Sequence, residues 1–207
     1  MISIVDYGLG NILAFKNIYK KLNIDCRVAS SKDDLKDSKG IILPGVGSFD
    51  WAMTKLNNSG MREMLDNLVI HKKVPVIGIC VGMQIMAKKS EEGNMDGLGW
   101  IDAEIKKFDQ PQNNEKLQLP HMGWNDIRCQ KKNVLLDGLE NNAKFYFLHS
   151  YYFKESSQDQ VLTVTNYGKS FTSCAFKDNI YAVQFHPEKS HEWGEKLLKN
   201  FAEIQNA

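Results

Sequence analysis

The chain has 207 residues, of which 43% are apolar and 25% are charged, and its formal net charge is +1. A chain of this length buries about 70% of the surface that it exposes when unfolded, so we predict a single domain over 1–207. The near-neutral charge and the lack of a long basic block give no electrostatic case for binding nucleic acid or an acidic membrane surface.

Cysteine usage and hydropathy indicate the compartment. The four cysteines form no Cys-x-x-Cys pair and no spacing typical of a disulfide scaffold or a zinc site. No apolar stretch reaches membrane-spanning length, and the first residues have a strand pattern, not that of a signal peptide. We therefore predict a cytoplasmic protein with no metal and no cofactor.

Strand and helix patterns alternate over the first 88 residues. Strands are predicted at Ile2–Val5, Cys26–Ala29, 40–43 and 74–79. Apolar helical faces lie between them, formed by Ile12, Phe15, Tyr19 and Leu22, and by Met61, Met64, Leu65, Leu68 and Val69. This alternation predicts an α/β fold with an open, mostly parallel twisted sheet that is flanked by helices.

A glycine-rich segment follows the strand over 40–43 and reads Pro44-Gly45-Val46-Gly47-Ser48-Phe49. It would lie at the carboxyl edge of the sheet, where open α/β folds bind ligands. A backbone N–H in such a turn can face the negative oxygen that acyl transfer generates. We predict an oxyanion site made by the N–H groups of Gly47 and Val81, although a segment like this is, on its own, more often a simple tight turn.

The segment over 75–84 reads Pro-Val-Ile-Gly-Ile-Cys-Val-Gly-Met-Gln, so an apolar strand runs directly into Gly-x-Cys-x-Gly. A sharp strand-to-helix turn presents a nucleophile, and only small residues fit beside it, which explains Gly78 and Gly82. The turn would place Cys80 at the start of a helix, whose unpaired N–H groups favour a thiolate. The simpler alternative is a buried structural cysteine between two packing glycines.

Short β-type runs dominate from residue 101 onward, so we predict a β-rich second half. The predicted strands cover 101–108, 145–149, 161–165, 171–176 and 180–185. The polar segment over 109–119 is predicted to be an exposed loop within the domain. A final helix points Trp193, Leu197, Phe201 and Ile204 inward.

A base for the nucleophile is offered by Gln184-Phe185-His186-Pro187-Glu188, at the end of the last predicted strand. Side chains two positions apart on an extended segment point the same way, so Glu188 can orient His186 while the other ring nitrogen faces the sulfur. We predict a catalytic triad of Cys80, His186 and Glu188. The alternative for His186 alone is an ordinary core or surface histidine.

Three of these motifs together resemble the class I glutamine amidotransferases, the triad-type glutaminases. They are Pro-Gly-Val-Gly, Gly-Ile-Cys-Val-Gly-Met-Gln and His-Pro-Glu. Further motifs extend the resemblance, in order and over nearly the whole chain, to the members of that family that serve histidine biosynthesis. These motifs are Asp6-Tyr7-Gly8-Leu9-Gly10-Asn11, Pro120-His121-Met122-Gly123-Trp124-Asn125, Tyr146-Phe147-Leu148-His149-Ser150-Tyr151 and Gln184-Phe185-His186-Pro187-Glu188-Lys189-Ser190.

The resemblance implies that Cys80 attacks the side-chain amide of L-glutamine to form a thioester, while His186 relays the proton and Glu188 orients it. It also implies a heterodimer with a (β/α)8-barrel cyclase subunit that receives the ammonia, a complex with hydrolase and lyase activities. By the same matching, the substrate-binding residues are Gln84, Tyr146, His149, Ser150 and Tyr151. The residues on the face toward the cyclase are Asn11, Trp124 and Lys189.

Two features depart from that subgroup. Gly97-Leu98-Gly99-Trp100-Ile101-Asp102 puts a bulky aromatic residue and an acid where smaller or apolar residues are expected, and the paired Tyr151-Tyr152 is also unusual. These features leave open a paralogue that supplies ammonia for amidation of a bacterial surface sugar. Without the family, Gln84 can be a solvated helix residue, Trp124 a core aromatic and Lys189 a last-turn cation. A non-catalytic regulatory module of the same fold is the alternative from another class.

Overall fold

The computed structural model describes residues 1–109 and 117–204, so most of the loop predicted over 109–119 lies outside the described residues. The first part of the chain contains β1 (Ile2–Val5), α1 (Ile12–Lys21), β2 (Cys26–Ala29), β3 (Gly40–Gly45), α2 (Phe49–Asn58), α3 (Arg62–Asp66), β4 (Val76–Cys80) and α4 (Val81–Gln84). The second part contains β5 (Lys89–Ser90), β6 (Ala103–Lys107), β7 (His121–Asp126), β8 (Arg128–Cys129), β9 (Lys144–His149), β10 (Tyr151–Glu155), β11 (Val161–Tyr167), β12 (Lys169–Lys177), β13 (Ile180–Val183) and α5 (His191–Ile204).

One large sheet organises the molecule, in the strand order β2-β1-β3-β4-β13-β12-β10-β6-β5, with β11 beside β12 and β8 beside β11. The five strands from β2 to β13 run parallel, and β12 begins an antiparallel extension. Strands β1, β3 and β4 are buried along their whole length, as expected when helices cover both faces of a parallel sheet. The predicted α/β fold with a helix-flanked sheet and a β-rich second half is confirmed.

The direction of the crossovers places the helices. The chain moves one way along the sheet from β1 to β2 and the opposite way from β3 to β4, so right-handed crossovers put α1 and α2 on opposite faces. Helix α5 joins α1 on its face, where the hydroxyl of Tyr19 donates to the carbonyl of Leu198 at 3.2 Å. Both faces of the parallel strands are therefore covered.

Several elements differ from the sequence prediction. Helix α2 was not predicted, and neither were strands β7 and β10. The helix after the nucleophile turn is only four residues long. The helical face over 61–69 is divided between α3 and a π-type turn at Asn67–His71.

The sheet brings the predicted site segments to one edge. Strands β3 and β4 end side by side, with Gly45 opposite Cys80. Strand β13 runs parallel to β4 on its other side, with Val183 opposite Ile79. The carboxyl ends of these strands therefore deliver the glycine-rich loop, the cysteine and the His-Pro-Glu segment to the same place.

Candidate active site

Cys80 sits on a strained turn between β4 and α4. Its backbone has φ 55° and ψ −113°, which L residues with a Cβ rarely adopt. The side chain is buried, with 4% of its surface exposed. Such strain persists only where the surroundings enforce it, and it often marks a functional residue.

Glycines next to the turn allow its backbone to approach β3. A Cβ on Gly82 would overlap the carbonyl oxygen of Leu43, and a Cβ on Gly78 would lie 2.7 Å from the carbonyl oxygen of Gly82. The structure thus confirms the steric reason that was predicted for both glycines. Gly45 has the same role from the other side, because its Cβ would lie 2.5 Å from the nitrogen of Gly82.

His186 and Glu188 form a buried pair. The His186 Nδ1 and the Glu188 Oε1 are 2.8 Å apart, and each side chain is 3% exposed. Strand β13 ends before His186, and Pro187–Lys189 form a 3-10 turn, so the two side chains meet across a turn and not along an extended strand. The N–H of His186 donates to the carbonyl of Tyr146 at 2.8 Å, and its carbonyl accepts from the Ser190 hydroxyl at 2.6 Å. The backbone of the base is therefore fixed on both sides.

The charge state of His186 depends on its two neighbours. Burial by itself lowers the pKa of this imidazole, but interactions with the Cys80 sulfur and the Glu188 carboxylate outweigh burial and raise the pKa to about 10. The buried Nε2 makes no hydrogen bond of standard geometry to the described residues. Because Nδ1 faces Glu188, Nε2 is the nitrogen left to exchange a proton at the sulfur.

A cavity of about 270 Å³ is lined by Cys80 and His186. The residues predicted for the oxyanion site and four of the five predicted substrate residues also line it, namely Gly47, Val81, Gln84, His149, Ser150 and Tyr151. Gly47 has φ 91°, a conformation that glycine adopts without strain. Val81 is the first residue of α4, where backbone N–H groups have no partner within the helix.

Tyr146 is the predicted substrate residue that does not line this cavity. Its ring lies 6.3 Å from the ring of Trp124, and the Lys189 ammonium lies 5.5 Å from its centroid. Tyr146 thus belongs with two of the residues predicted for the partner face. Tyr146 is on the same face of β9 as Leu148, which lines the cavity, but it lies two residues earlier along the strand.

Two glutamine side chains link the cavity wall at Tyr151 to the Cys80 sulfur. Gln84 is 3% exposed and donates from Nε2 to the carbonyl of Tyr151 at 3.3 Å and to Oε1 of Gln184 at 3.1 Å. The Nε2 of Gln184 lies 3.8 Å from the Cys80 sulfur. Gln84 is therefore not a solvated helix residue. Gln184 was missed in the sequence, although it begins the Gln-Phe-His-Pro-Glu motif.

Glu92 is a second cavity residue that the sequence did not indicate. Its carboxylate accepts a hydrogen bond from the N–H of Phe49 at 2.8 Å. The pKa of this carboxyl group is raised above its usual value, mainly by burial. The side chain brings an acidic group to the cavity wall. No local motif around Glu92 could have identified it.

A pair of neutral histidines supports the wall formed by Tyr151. The Nδ1 of His149 lies 2.7 Å from the Tyr151 carbonyl, which only accepts, so this nitrogen carries the proton. The Nε2 of His149 then accepts from Nδ1 of His121 at 2.9 Å. Burial lowers the pKa of His121 to about 4 and that of His149 to about 3, which keeps both rings neutral. His121 is missing from the predicted site because its role depends on the pairing of β7 with β9.

An exposed apolar surface lies beside the cavity. Met122, Trp124 and Leu148 are 65%, 47% and 36% exposed, and we call them the apolar rim. They share one face of the β7–β9 ribbon, because Met122 pairs with Leu148 and the alternate position of β7 is Trp124. Leu148 also lines the cavity. Trp124 is therefore not a core aromatic, and exposed apolar clusters commonly mark interaction surfaces.

The two other residues predicted for the partner face have different settings. Asn11 is exposed and immediately precedes α1. Lys189 lines the cavity at the end of the 3-10 turn that carries Glu188. Asn11, Trp124 and Lys189 stay predictions for an interface with a partner.

The unusual Trp100 and Asp102 have structural roles away from the cavity. Trp100 is 3% exposed, and its indole N–H donates to Asp66 at 2.7 Å. The carboxylate of Asp102 pairs with the ammonium of Lys88 at 2.7 Å. Neither residue lines the cavity, so the departure from the expected pattern leaves the site unchanged.

Residues 1–109 and 117–204 contain neither a membrane-spanning helix nor a metal-binding cluster of side chains. In these ranges no helix combines the length and the apolar character needed to cross a membrane. The same ranges hold no group of three or more His, Cys, Asp or Glu side chains placed to bind a metal ion.

Known proteins resemble the chain in sequence and in fold. The family model described as "Glutamine amidotransferase class-I" matches residues 3–204. An imidazole glycerol phosphate synthase subunit HisH from Bdellovibrio bacteriovorus is 53% identical over 204 residues, covering 99% of this chain and 100% of the relative. The subunit of the same name from Leptospira interrogans is 50% identical with the same coverage. A crystal structure of a glutamine amidotransferase superimposes with a TM-score of 0.73 at 18% identity, covering 100% of this chain and 99% of that one, which is a similarity of fold.

Proposed function

Because this chain belongs to the class-I glutamine amidotransferase family, we propose that it is the glutaminase subunit of an imidazole glycerol phosphate synthase, an enzyme of histidine biosynthesis. It hydrolyses L-glutamine to glutamate and ammonia. The observation that carries the chemistry is the strained, buried Cys80, which shares a cavity with a histidine that Glu188 orients.

The reaction follows from these groups. The Cys80 thiolate attacks the side-chain carbonyl carbon of glutamine, and the carbonyl electron pair moves onto oxygen. The C–N bond then breaks, and the His186 imidazolium gives its proton to the departing nitrogen, which leaves as ammonia. Water attacks the resulting thioester after losing a proton to His186, and glutamate leaves as the C–S bond breaks. Glu188 holds the ring and stabilises its protonated form.

The N–H groups of Gly47 and Val81 are proposed to hold the oxyanion of each tetrahedral intermediate. Gly47 belongs to the loop after β3, and Val81 follows the nucleophile, so the two approach the cavity from adjacent strands. Donors that are fixed before the reaction stabilise the charge that develops in the transition state.

The cavity walls suit glutamine as the substrate. Gln84, His149, Ser150 and Tyr151 are proposed to position it, and the cavity of about 270 Å³ is small enough to enclose one amino acid. The acidic Glu92 would attract the α-ammonium group of the substrate. This set excludes Tyr146, which does not line the cavity and lies beside Trp124.

A cyclase is the partner that the subunit names of the relatives imply. We propose that this cyclase is a (β/α)8 barrel that forms a heterodimer with the chain through the apolar rim, Asn11 and Lys189. The rim is exposed next to the cavity mouth, so a partner that covers it would receive the ammonia without its release to solvent. The lyase reaction then belongs to the cyclase, and this chain is the hydrolase. We place the heterodimer in the cytoplasm, where a catalytic thiol stays reduced.

The alternatives from the sequence gain no support. The Trp100 and Asp102 positions that suggested a surface-sugar paralogue serve packing and a surface ion pair. A regulatory module without turnover would not need a strained Cys80 beside an oriented base.

The experiment that tests this function uses the chain assembled with its cyclase. We expect Cys80→Ala to abolish glutamine-dependent turnover while the complex still runs on added ammonium, because only the glutaminase reaction needs the sulfur. Cys26→Ala, which changes a half-buried cysteine away from the cavity, is the matched control and should keep both activities. Glutamate release by the Cys80→Ala complex at the wild-type rate would refute the proposal.

A further inference from the structure

A buried tyrosine that the proposed mechanism does not use lies next to the nucleophile turn. Tyr7 follows β1, is 5% exposed, and donates its hydroxyl hydrogen to the carbonyl of Pro44 at 2.7 Å. The two residues belong to different segments of the sheet edge. The bond therefore connects the end of β1 to the end of β3.

The acceptor lies at the base of the glycine-rich loop. Pro44 is paired with Ile79 in the sheet, and the next residue, Gly45, is opposite the nucleophile. A Cβ on Gly45 would lie 3.0 Å from the Tyr7 hydroxyl and 2.5 Å from the nitrogen of Gly82. The hydroxyl, the end of β3 and the start of α4 thus form one tightly packed contact.

The hydroxyl stays protonated in this setting. Burial raises the pKa of Tyr7 far above its usual value, and the nearby charge of Cys80 raises it further. Tyr7 is therefore a permanent donor to Pro44 and takes no part in proton transfer. It also lines no part of the cavity, so it does not touch the substrate.

We propose that Tyr7 is a positioning residue for the oxyanion site. Its hydrogen bond fixes the Pro44 carbonyl and so the last peptide unit of β3, and Gly47 follows two residues after that strand ends. This inference rests on the proposed glutaminase function. Because oxyanion donors act on the transition state, loss of the bond should lower kcat and leave KM nearly unchanged.

The test compares two tyrosines that make the same kind of bond. Tyr7→Phe keeps the ring and removes the hydroxyl. Tyr19→Phe is the matched control, because Tyr19 is fully buried and donates to the carbonyl of Leu198 far from the cavity. Both variants are assembled with the cyclase, and kcat and KM for glutamine, turnover with ammonium and the thermal midpoint are measured.

We expect Tyr7→Phe to lower the glutamine-dependent kcat on the order of 10-fold, which is part of the 10²- to 10³-fold that a missing oxyanion donor costs. Its KM should stay within about twofold, and ammonium-dependent turnover should be unchanged. Tyr7→Phe and Tyr19→Phe should lose similar amounts of thermal stability, but Tyr19→Phe should keep its kcat. The Tyr19→Phe control therefore separates lost stability from lost catalysis.

Three results would overturn the role of Tyr7. These are an unchanged kcat in Tyr7→Phe, a loss that appears in KM instead of kcat, and a failure of Tyr7→Phe to fold, which would make the hydroxyl structural. The proposed function fails separately, when the wild-type complex releases no glutamate from glutamine. A wild-type complex that is active beside an equally active Tyr7→Phe complex refutes the inference alone.

Discussion

An alanine variant is usually more stable to unfolding than a glycine variant at the same position. Strain at the nucleophile turn should reverse this order at position 80. Cys80→Ala and Cys80→Gly both remove the sulfur, but only alanine keeps a Cβ at φ 55° and ψ −113°. This ψ is far from the left-handed well near +47°, so the strain with a Cβ lies near the upper end of the 1–3 kcal/mol range, at about 3 kcal/mol.

Two effects oppose the relief of strain. Glycine gains about 1 kcal/mol of conformational entropy in the unfolded chain, and it loses the burial of one carbon, about 0.8 kcal/mol. The difference leaves Cys80→Gly more stable than Cys80→Ala by about 1 kcal/mol. For a chain of this length, that corresponds to about 2–4 °C in the thermal midpoint.

The assay is differential scanning calorimetry, with urea unfolding to give the free energy. An exposed position in the middle of α1 supplies the control, where Asn17→Gly should be less stable than Asn17→Ala by about 1 kcal/mol. If Cys80→Gly is less stable than Cys80→Ala by the same margin as the control pair, the turn is not strained and the reasoning is wrong.

Three more predictions follow from the site and its surroundings. Glu188→Gln should lower glutamine-dependent kcat by about 10²- to 10⁴-fold. It should also lower the pKa of His186 from about 10, because the Glu188 carboxylate helps to raise it. The imidazolium is then lost at a lower pH, and the alkaline limb of the pH–rate profile moves toward neutral pH. An alkaline limb that does not move would contradict this prediction. Gly82→Ala should destabilise the fold by about 3 kcal/mol in urea unfolding, because its Cβ overlaps the Leu43 carbonyl, and wild-type stability would show that the backbone yields freely. Trp124→Ala should weaken cyclase binding by about 10- to 100-fold in calorimetric titration. The thermal midpoint of the free chain should change little, because Trp124 is 47% exposed. An unchanged affinity would place the interface elsewhere.

Helix α2 shows that the sequence contained more than the prediction used. Its buried residues, Phe49, Ala52, Met53 and Leu56, recur with helical spacing. The helix directly follows a glycine-rich segment, which by itself indicates a turn. Strand β7 is different, since Gly123, Asn125 and Asp126 have low strand propensity and the strand depends on its pairing with β9.

The residues that line the cavity show a similar division. Gln84, His149, Ser150 and Tyr151 came from the resemblance of contiguous motifs, and all four line the cavity. Glu92 lies in no recognisable pattern, and it reaches the cavity because its carboxylate is held by the N–H of Phe49. A contact between segments that are far apart in the chain leaves no local signal.

The sequence by itself determined the parts that depend on neighbouring residues: the buried parallel strands, the glycines that flank Cys80, and the chemical types of nucleophile, base and orienting acid. The tertiary structure alone decided how these parts meet. Strand β13 had to pair with β4 before His186 could reach the sulfur, and β7 had to pair with β9 before His121 could hold His149. The physical reason is that local sequence fixes backbone preference and periodicity, whereas strand order and register are set by burial of the whole core.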